Sequence, residues 1–292
     1  MASLSNIVRS AGAGVVAMML AILAPARPAL ADATWTVASD WVKHNGSSIR
    51  LIGAELKDED GKAQLVAGIE ITLDDGWKTY WRSPGDSGGI PPTFDWDQST
   101  GIAKAQLRYP APSRYEDPEG VSAGYKHRVV FPIEITAEAG ATPELKLGAF
   151  YGICREICVP AEAELALALK PAASADPGVA KGLEDALAAV PRALPDGALP
   201  SIEKVTATAK GEGDLLSVEA RFDPSAKERA LFVESSDGAY LPIPSAPEDL
   251  GEGRARFEVK LKGQEMAAIR GQTLVLTLVS DKGHAEVKRK AE

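Results

Sequence analysis

A chain of 292 residues, 45% of them hydrophobic, can bury more core than one ordinary domain holds. Its 32 Lys and Arg stand against 41 Asp and Glu, a formal charge of −9. That balance repels phosphate backbones and anionic lipid, which argues against nucleic acid and membrane surfaces as partners.

Residues 1–31 read as an export leader. Arg9 supplies a positive n-region, Ala11 to Ala24 is apolar, and Ala29-Leu30-Ala31 is an A-x-A cleavage site. The apolar run stops at Pro25, short of the roughly 20 residues a membrane span needs, and no later stretch is a candidate. The expectation is an exported mature chain from about Asp32, without stable membrane insertion, in the oxidising space beyond the inner membrane. Loss of Arg9 and Arg27 with the leader takes the formal charge from −9 to −11.

From Thr34 the pattern is short strands between turn residues. Trp35, Val37 and Trp41 begin it; Ile49, Leu51 and Gly53 follow, then Leu65, Ala67, Ile69 and Ile71 in alternation. Asp74-Asp75-Gly76 is a turn before Trp77 to Trp81. Later strands are Ile102 to Tyr109, Arg128 to Thr136 and Leu145 to Tyr151. Many short strands with few helical stretches predict an all-β fold, an immunoglobulin-like antiparallel β-sandwich over 32–170. No cysteine pair has the separation that pins the two sheets of an antibody domain. Two irregular runs interrupt the pattern, WRSPGDSGGIPPTF from Trp81 to Phe94 and Pro110 to Tyr125. The first, rich in turn formers, reads either as a functional loop or as a plain sandwich-end connection.

The only cysteines, Cys154 and Cys158, sit in LGAFYGICREICVP, a C-x-x-x-C spacing between two apolar segments. Residues four apart can meet on a helix face or across a hairpin. The flanks favour a hairpin: Leu145, Leu147, Ala149 and Tyr151 alternate before it, and Val159, Ala161, Ala163, Leu165, Leu167 and Leu169 after it, leaving Arg155, Glu156 and Ile157 as the turn. A bridge here closes a very short loop, so it staples little; a loop of about 15 residues is worth only about 3 kcal/mol. Such a bridge suits opening and reclosing, and the catalytic candidates are therefore Cys154 and Cys158. The competing reading is a local clip at a hairpin tip. Arg155 would favour a thiolate on Cys154, and Glu156 would oppose it. Phe150 and Tyr151 either pack over the sulfurs or fill the core.

Residues 171–200 read as a Pro/Ala-rich linker with a short helix over Val179 to Val190, capped by Asp176 with Pro177 at its first position. Residues 201–292 form a second, smaller β-rich domain: Ile202 to Thr208, Leu215 to Phe222, Ala230 to Glu234, Ala255 to Leu261 and Leu274 to Val279 are its strands, with turns at Gly211 to Asp214 and at Asp237-Gly238. It has no cysteine, so a docking or orienting role is expected. His44, His127 and His284 share no metal-ligand spacing; a soft site of Cys154, Cys158 and His127 would need the fold to assemble it. No nucleotide-binding glycine loop or paired catalytic carboxylate stands out, and SPGDSGG lacks the ordered histidine and aspartate of a serine protease. No cofactor is expected.

GWKTYWRSPGDSGGIPPTFDW, RYPAPSRYEDPEGVSAGYKHRVVFPIEI and above all YGICREICVPAEAEL resemble the amino-terminal periplasmic domain of the thiol:disulfide interchange protein DsbD and its ScsB relatives. The likeness spans about Trp35 to Leu169. It implies an immunoglobulin-like sandwich in the periplasm that passes electrons from a membrane-embedded system to thioredoxin-like proteins. By position Cys154 and Cys158 match the redox pair, with Cys158 forming the mixed disulfide, and a shielding cap loop would fall within Trp81 to Pro92. The C-x-x-x-C spacing is tighter than in the familiar DsbD. These 292 residues also lack that protein's membrane helices and thioredoxin-like domain, so the electron donor is expected on a separate chain. The alternative is a non-catalytic protein- or copper-binding scaffold whose disulfide is structural.

Overall fold

The computed structural model describes residues 35–58, 60–117, 120–208, 214–239 and 241–290. The leader, its cleavage site and most of the expected Gly211 to Asp214 turn lie outside these. Among the described residues no helix is long and apolar enough to cross a membrane.

The first sandwich is built from β1 (Trp35–Ala38), β2 (Val42–His44), β3 (Ser47–Lys57), β4 (Ala63–Leu73), β5 (Lys78–Gly85), β6 (Thr93–Asp95), β7 (Ile102–Leu107), β8 (Ser113–Asp117), β9 (Gly120–Lys126), β10 (Arg128–Ala137), β11 (Glu144–Cys154) and β12 (Cys158–Ala168). One sheet runs β1-β3-β4-β10-β7 with β2 on β3; the other runs β12-β11-β5-β9-β8 with β6 on β11. All the pairings are antiparallel, and the fold is all-β and immunoglobulin-like. Ile49, Leu51, Ala67, Ile69, Ile71 and Phe131 meet Leu145, Leu147, Tyr151 and Leu165 in the core between the sheets. This alternation is the period of two that the sequence shows.

The two irregular runs contain more strand than their Gly and Pro content suggests. β5 continues through Ser83 and Pro84 to Gly85, and Pro110 to Tyr125 holds most of the β8–β9 hairpin. Pro84 is tolerated because the β5–β9 register breaks between Tyr80 and Gly85, so its missing N–H falls in a bulge. The loop proper is therefore 86–92.

The segment expected to be a linker packs against the first sandwich. Asp176 caps α1 (Pro177–Ala188), accepting from the backbone N–H of Gly178 at 2.7 Å and of Val179 at 3.4 Å. Val179, Leu183 and Ala186, one helical stripe, pack on Ile52, Ala54, Val66 and Val130 of the outer sheet face. Gly68 makes the socket: a Cβ there would sit 2.8 Å from Leu183 Cδ2. Beside it the buried Glu70 is held by Arg50 at 2.7 Å and Arg128 at 2.6 Å.

The second sandwich comprises β13 (Ser201–Thr208), β14 (Asp214–Arg221), β15 (Arg229–Ser235), β16 (Glu248–Gly251), β17 (Arg254–Leu261), α2 (Gly263–Ile269), β18 (Thr273–Ser280) and β19 (Gly283–Lys290). Its sheets are β13-β14-β17-β16 and β15-β18-β19. β16, α2 and β19 are absent from the sequence reading. Leu231 and Val233 point into the core of this second unit, while Phe232 is part of the core of the first, with Ala230 and Val279 packed beside it. The β15-β18-β19 sheet is thus covered on both faces and joins the two sandwiches into one compact unit.

Candidate redox site

β11 and β12 pair without a break from Glu144↔Ala168 to Cys154↔Cys158. Because Leu147, Ala149, Tyr151 and Ile153 face the core, the alternate positions Gly148, Phe150, Gly152 and Cys154 take the outer face. Cys154 and Cys158 are direct cross-strand neighbours there, joined by a disulfide with a Cα separation of 4.1 Å. Arg155, Glu156 and Ile157 form the exposed turn. The two cysteines differ in exposure: Cys154 is buried, 7% exposed, whereas Cys158 is only half-buried.

The neighbouring strand completes the site. β5 meets β11 only at its tip, Thr79 opposite Ile153 and Lys78 opposite Cys154, while β6 pairs with the same edge further back, at Gly148 to Phe150. The 86–92 loop that joins β5 to β6 therefore passes over Gly152. The Gly152 N–H donates to the Ile90 carbonyl at 3.3 Å, and a Cβ on Gly152 would lie 2.7 Å from Ile90 Cβ. Gly89 sits so closely on the Tyr80 ring that no side chain would fit between them. Beneath the loop the Tyr80 hydroxyl is 3.0 Å from Cys158 Sγ. Lys78, on the same face, is buried; its Nζ donates to Ser122 Oγ at 3.0 Å and lies 5.7 Å from the Tyr80 ring centre.

Several residues flagged by the sequence lie elsewhere. Tyr151 fills the core, its hydroxyl 3.0 Å from Ser47 Oγ and its ionisation pushed up by burial. Phe150 is 37% exposed on the outer face, so neither of these aromatics covers the sulfurs; the aromatic side chain in contact with Cys158 Sγ is Tyr80. Tyr80, Lys78 and Ser122 are missed by sequence reasoning, since each sits in an ordinary strand far along the chain from the cysteines. The Arg155 guanidinium lies over the Trp77 ring at 5.5 Å. His127 occupies a left-handed turn position between β9 and β10, φ 63°, with its carbonyl accepting from Leu73 N. Among the described residues no group of three or more His, Cys, Asp or Glu could hold a metal ion.

A disulfide with one half-buried cysteine and a phenol against its sulfur has the makings of a thiol-exchange site. Residues 56–170 match the family described as "Thiol:disulfide interchange protein DsbD, N-terminal". The crystal structure of the N-terminal periplasmic domain of ScsB from Proteus mirabilis superposes with a TM-score of 0.66 at 22% identity, covering 87% of this chain and 98% of that one, a likeness of fold. No curated protein matches the sequence. Segment 56–170, which contains the β11–β12 hairpin and its disulfide, is therefore similar to the DsbD amino-terminal family.

Proposed function

We propose that this chain is a periplasmic thiol:disulfide oxidoreductase that hands two electrons to thioredoxin-like proteins through Cys158. The observation that carries the reading is the asymmetry of the pair: a half-buried Cys158 whose sulfur is touched by the Tyr80 hydroxyl, beside a buried Cys154. In the reduced chain the Cys158 thiolate attacks a partner disulfide, forming a mixed disulfide and expelling one partner thiolate. Cys154, directly across the strand pair, then attacks Cys158 Sγ. The Cys154–Cys158 bond re-forms, the partner leaves as a dithiol, and this chain has been oxidised by two electrons. A membrane-embedded donor on a separate chain returns them.

The match of residues 56–170 to the DsbD amino-terminal family and the disulfide support this reading, and so does the bridge's position. It joins two residues that already end an unbroken strand ladder, so it adds little to what the hairpin fixes. The test is Cys154→Ser. With the resolving sulfur gone, the variant is expected to accumulate a mixed disulfide with an oxidised thioredoxin-like protein, linked through Cys158 by peptide mapping. A parent protein that exchanges with no thioredoxin-like protein at any redox poise would overturn the proposal.

A further inference from the structure

Beyond Tyr80, β5 belongs as much to the second sandwich as to the first. Trp81 packs on Phe232 of β15 with ring centroids 5.4 Å apart. Arg82 donates through Nε and Nη2 to Glu234 of β15 at 2.7–3.1 Å, and through Nη2 to Glu286 of β19 at 2.7 Å. Its guanidinium also lies 4.4 Å over the Trp81 ring. Gly85 is buried with φ of 92°, and the Ile243 side chain from the second sandwich fills the space a Cβ would need, with Ile243 Cγ1 at 2.9 Å. The loop that passes over Gly152 and the Tyr80 ring starts at the next residue, Asp86.

A loop is normally anchored at its base by the ladder of the strand it leaves. Here the β5–β9 ladder is interrupted between Tyr80 and Gly85, the stretch that carries Trp81 and Arg82. The first sandwich still holds that stretch through Trp81 in its core, the Gly85↔Ser122 pairing and the Asp86 N–H donating to the Val121 carbonyl at 2.9 Å, and the second sandwich adds the ion cluster and the apolar contacts of Phe232 and Ile243. Tyr80, upstream, touches Cys158 Sγ, and downstream Gly89 lies on the Tyr80 ring and Ile90 on Gly152, two residues before Cys154.

We infer that the second sandwich holds the 86–92 loop closed over the disulfide, with Arg82 and Ile243 as positioning residues for exchange at Cys158. This rests on Cys154 and Cys158 being the exchanging pair. The cluster acts on the loop's opening equilibrium, so loosening it exposes the sulfurs to reagents that are too indiscriminate to need a docking surface.

The experiment measures reduction of the oxidised full-length protein by dithiothreitol, for the parent, Ile243→Ala, Arg82→Gln and Arg82→Lys, with increasing urea below the unfolding transition. Ile243→Ala and Arg82→Gln are expected to be reduced about tenfold faster, the effect of moving an opening equilibrium by about 1.4 kcal/mol. The increase should depend weakly on urea, since a loop opening exposes little surface, and Arg82→Lys should recover part of the parent rate. Unchanged rates in both variants would overturn the inference. So would an increase that follows urea as steeply as global unfolding, because that marks a merely stabilising contact. Should Arg82→Gln fail to fold, the uncharged truncation Ile243→Ala decides alone. A parent that does not exchange with thioredoxin-like proteins, alongside variants that still react faster with dithiothreitol, would remove the proposed function and with it the role in exchange, leaving only the restraint of the loop by the second sandwich.

Discussion

Replacing Tyr80 by Phe removes one atom, the hydroxyl oxygen 3.0 Å from Cys158 Sγ, and keeps the ring on which Gly89 rests. In the oxidised protein that sulfur is a weak, neutral acceptor. In the reduced protein a thiolate there is a charged acceptor, and a hydrogen bond to a charged group is worth about 1.5–3 kcal/mol net. Taking the lower figure, loss of the hydroxyl cuts the thiolate share about tenfold near neutral pH. The remaining thiolate is more basic and so about threefold more nucleophilic, given a Brønsted coefficient of about 0.4–0.5. The net expectation is an exchange rate about three- to fourfold lower at neutral pH. The assay is the rate at which reduced Tyr80→Phe attacks a small aromatic disulfide, followed across pH beside the parent. The variant's profile should be displaced to higher pH. Superimposable profiles would refute the argument, and so would a faster variant at neutral pH, since that would make the hydroxyl a shield and not a donor to the thiolate.

Gly152→Ala puts a Cβ 2.7 Å from Ile90 Cβ and 2.9 Å from the Ile90 carbonyl oxygen, so the loop must shift. The variant should lose about 1–3 kcal/mol and be reduced faster by dithiothreitol, measured by urea unfolding and thiol quench. Leu183→Ala empties the socket above Gly68 and should cost about 2–5 kcal/mol in the same unfolding assay. His284, half-buried, is shifted down from the ordinary histidine range by burial, and its Nδ1 has no hydrogen-bond partner among the described residues. As pH falls through that range the unfolded chain takes up a proton that the folded one resists, so the native state loses stability on acidification. His284→Gln should flatten that loss, read as the pH dependence of the thermal midpoint.

The hairpin was legible because its two halves obey the same rule. Leu145, Leu147, Ala149 and Tyr151 before the turn, and Ala161, Ala163, Leu165 and Leu167 after it, fix which face is buried. A strand register that differed by one residue would turn all of them outward. With Arg155, Glu156 and Ile157 as the turn, the same alternation is consistent with Cys154 opposite Cys158, the pairing the structure has. The helix was legible for a similarly local reason, a capping aspartate followed by proline. Its packing was not, because the socket is Gly68, and a glycine in a strand records an absence without saying what fills it.

Tyr80 and Lys78 were illegible because their meaning depends on a pairing with β11 that is only two residues long. A strand that touches its neighbour at one end carries no alternation to advertise the contact. Arg82 shows the same limit across sandwiches. Locally it is a cation between a tryptophan and a serine, and only the fold brings Glu234 and Glu286 to it from 152 and 204 residues away. Burial alone would lower its affinity for a proton, but the hydrogen bonds and charge of Glu234, and then of Glu286, raise it. β15 does carry a trace of this arrangement in its text, RALFVES, apolar in both phases where an outer strand would alternate. Leu231 and Val233 account for one phase; the other, Ala230 and Phe232, requires a second apolar surface, and the core of the first sandwich supplies it.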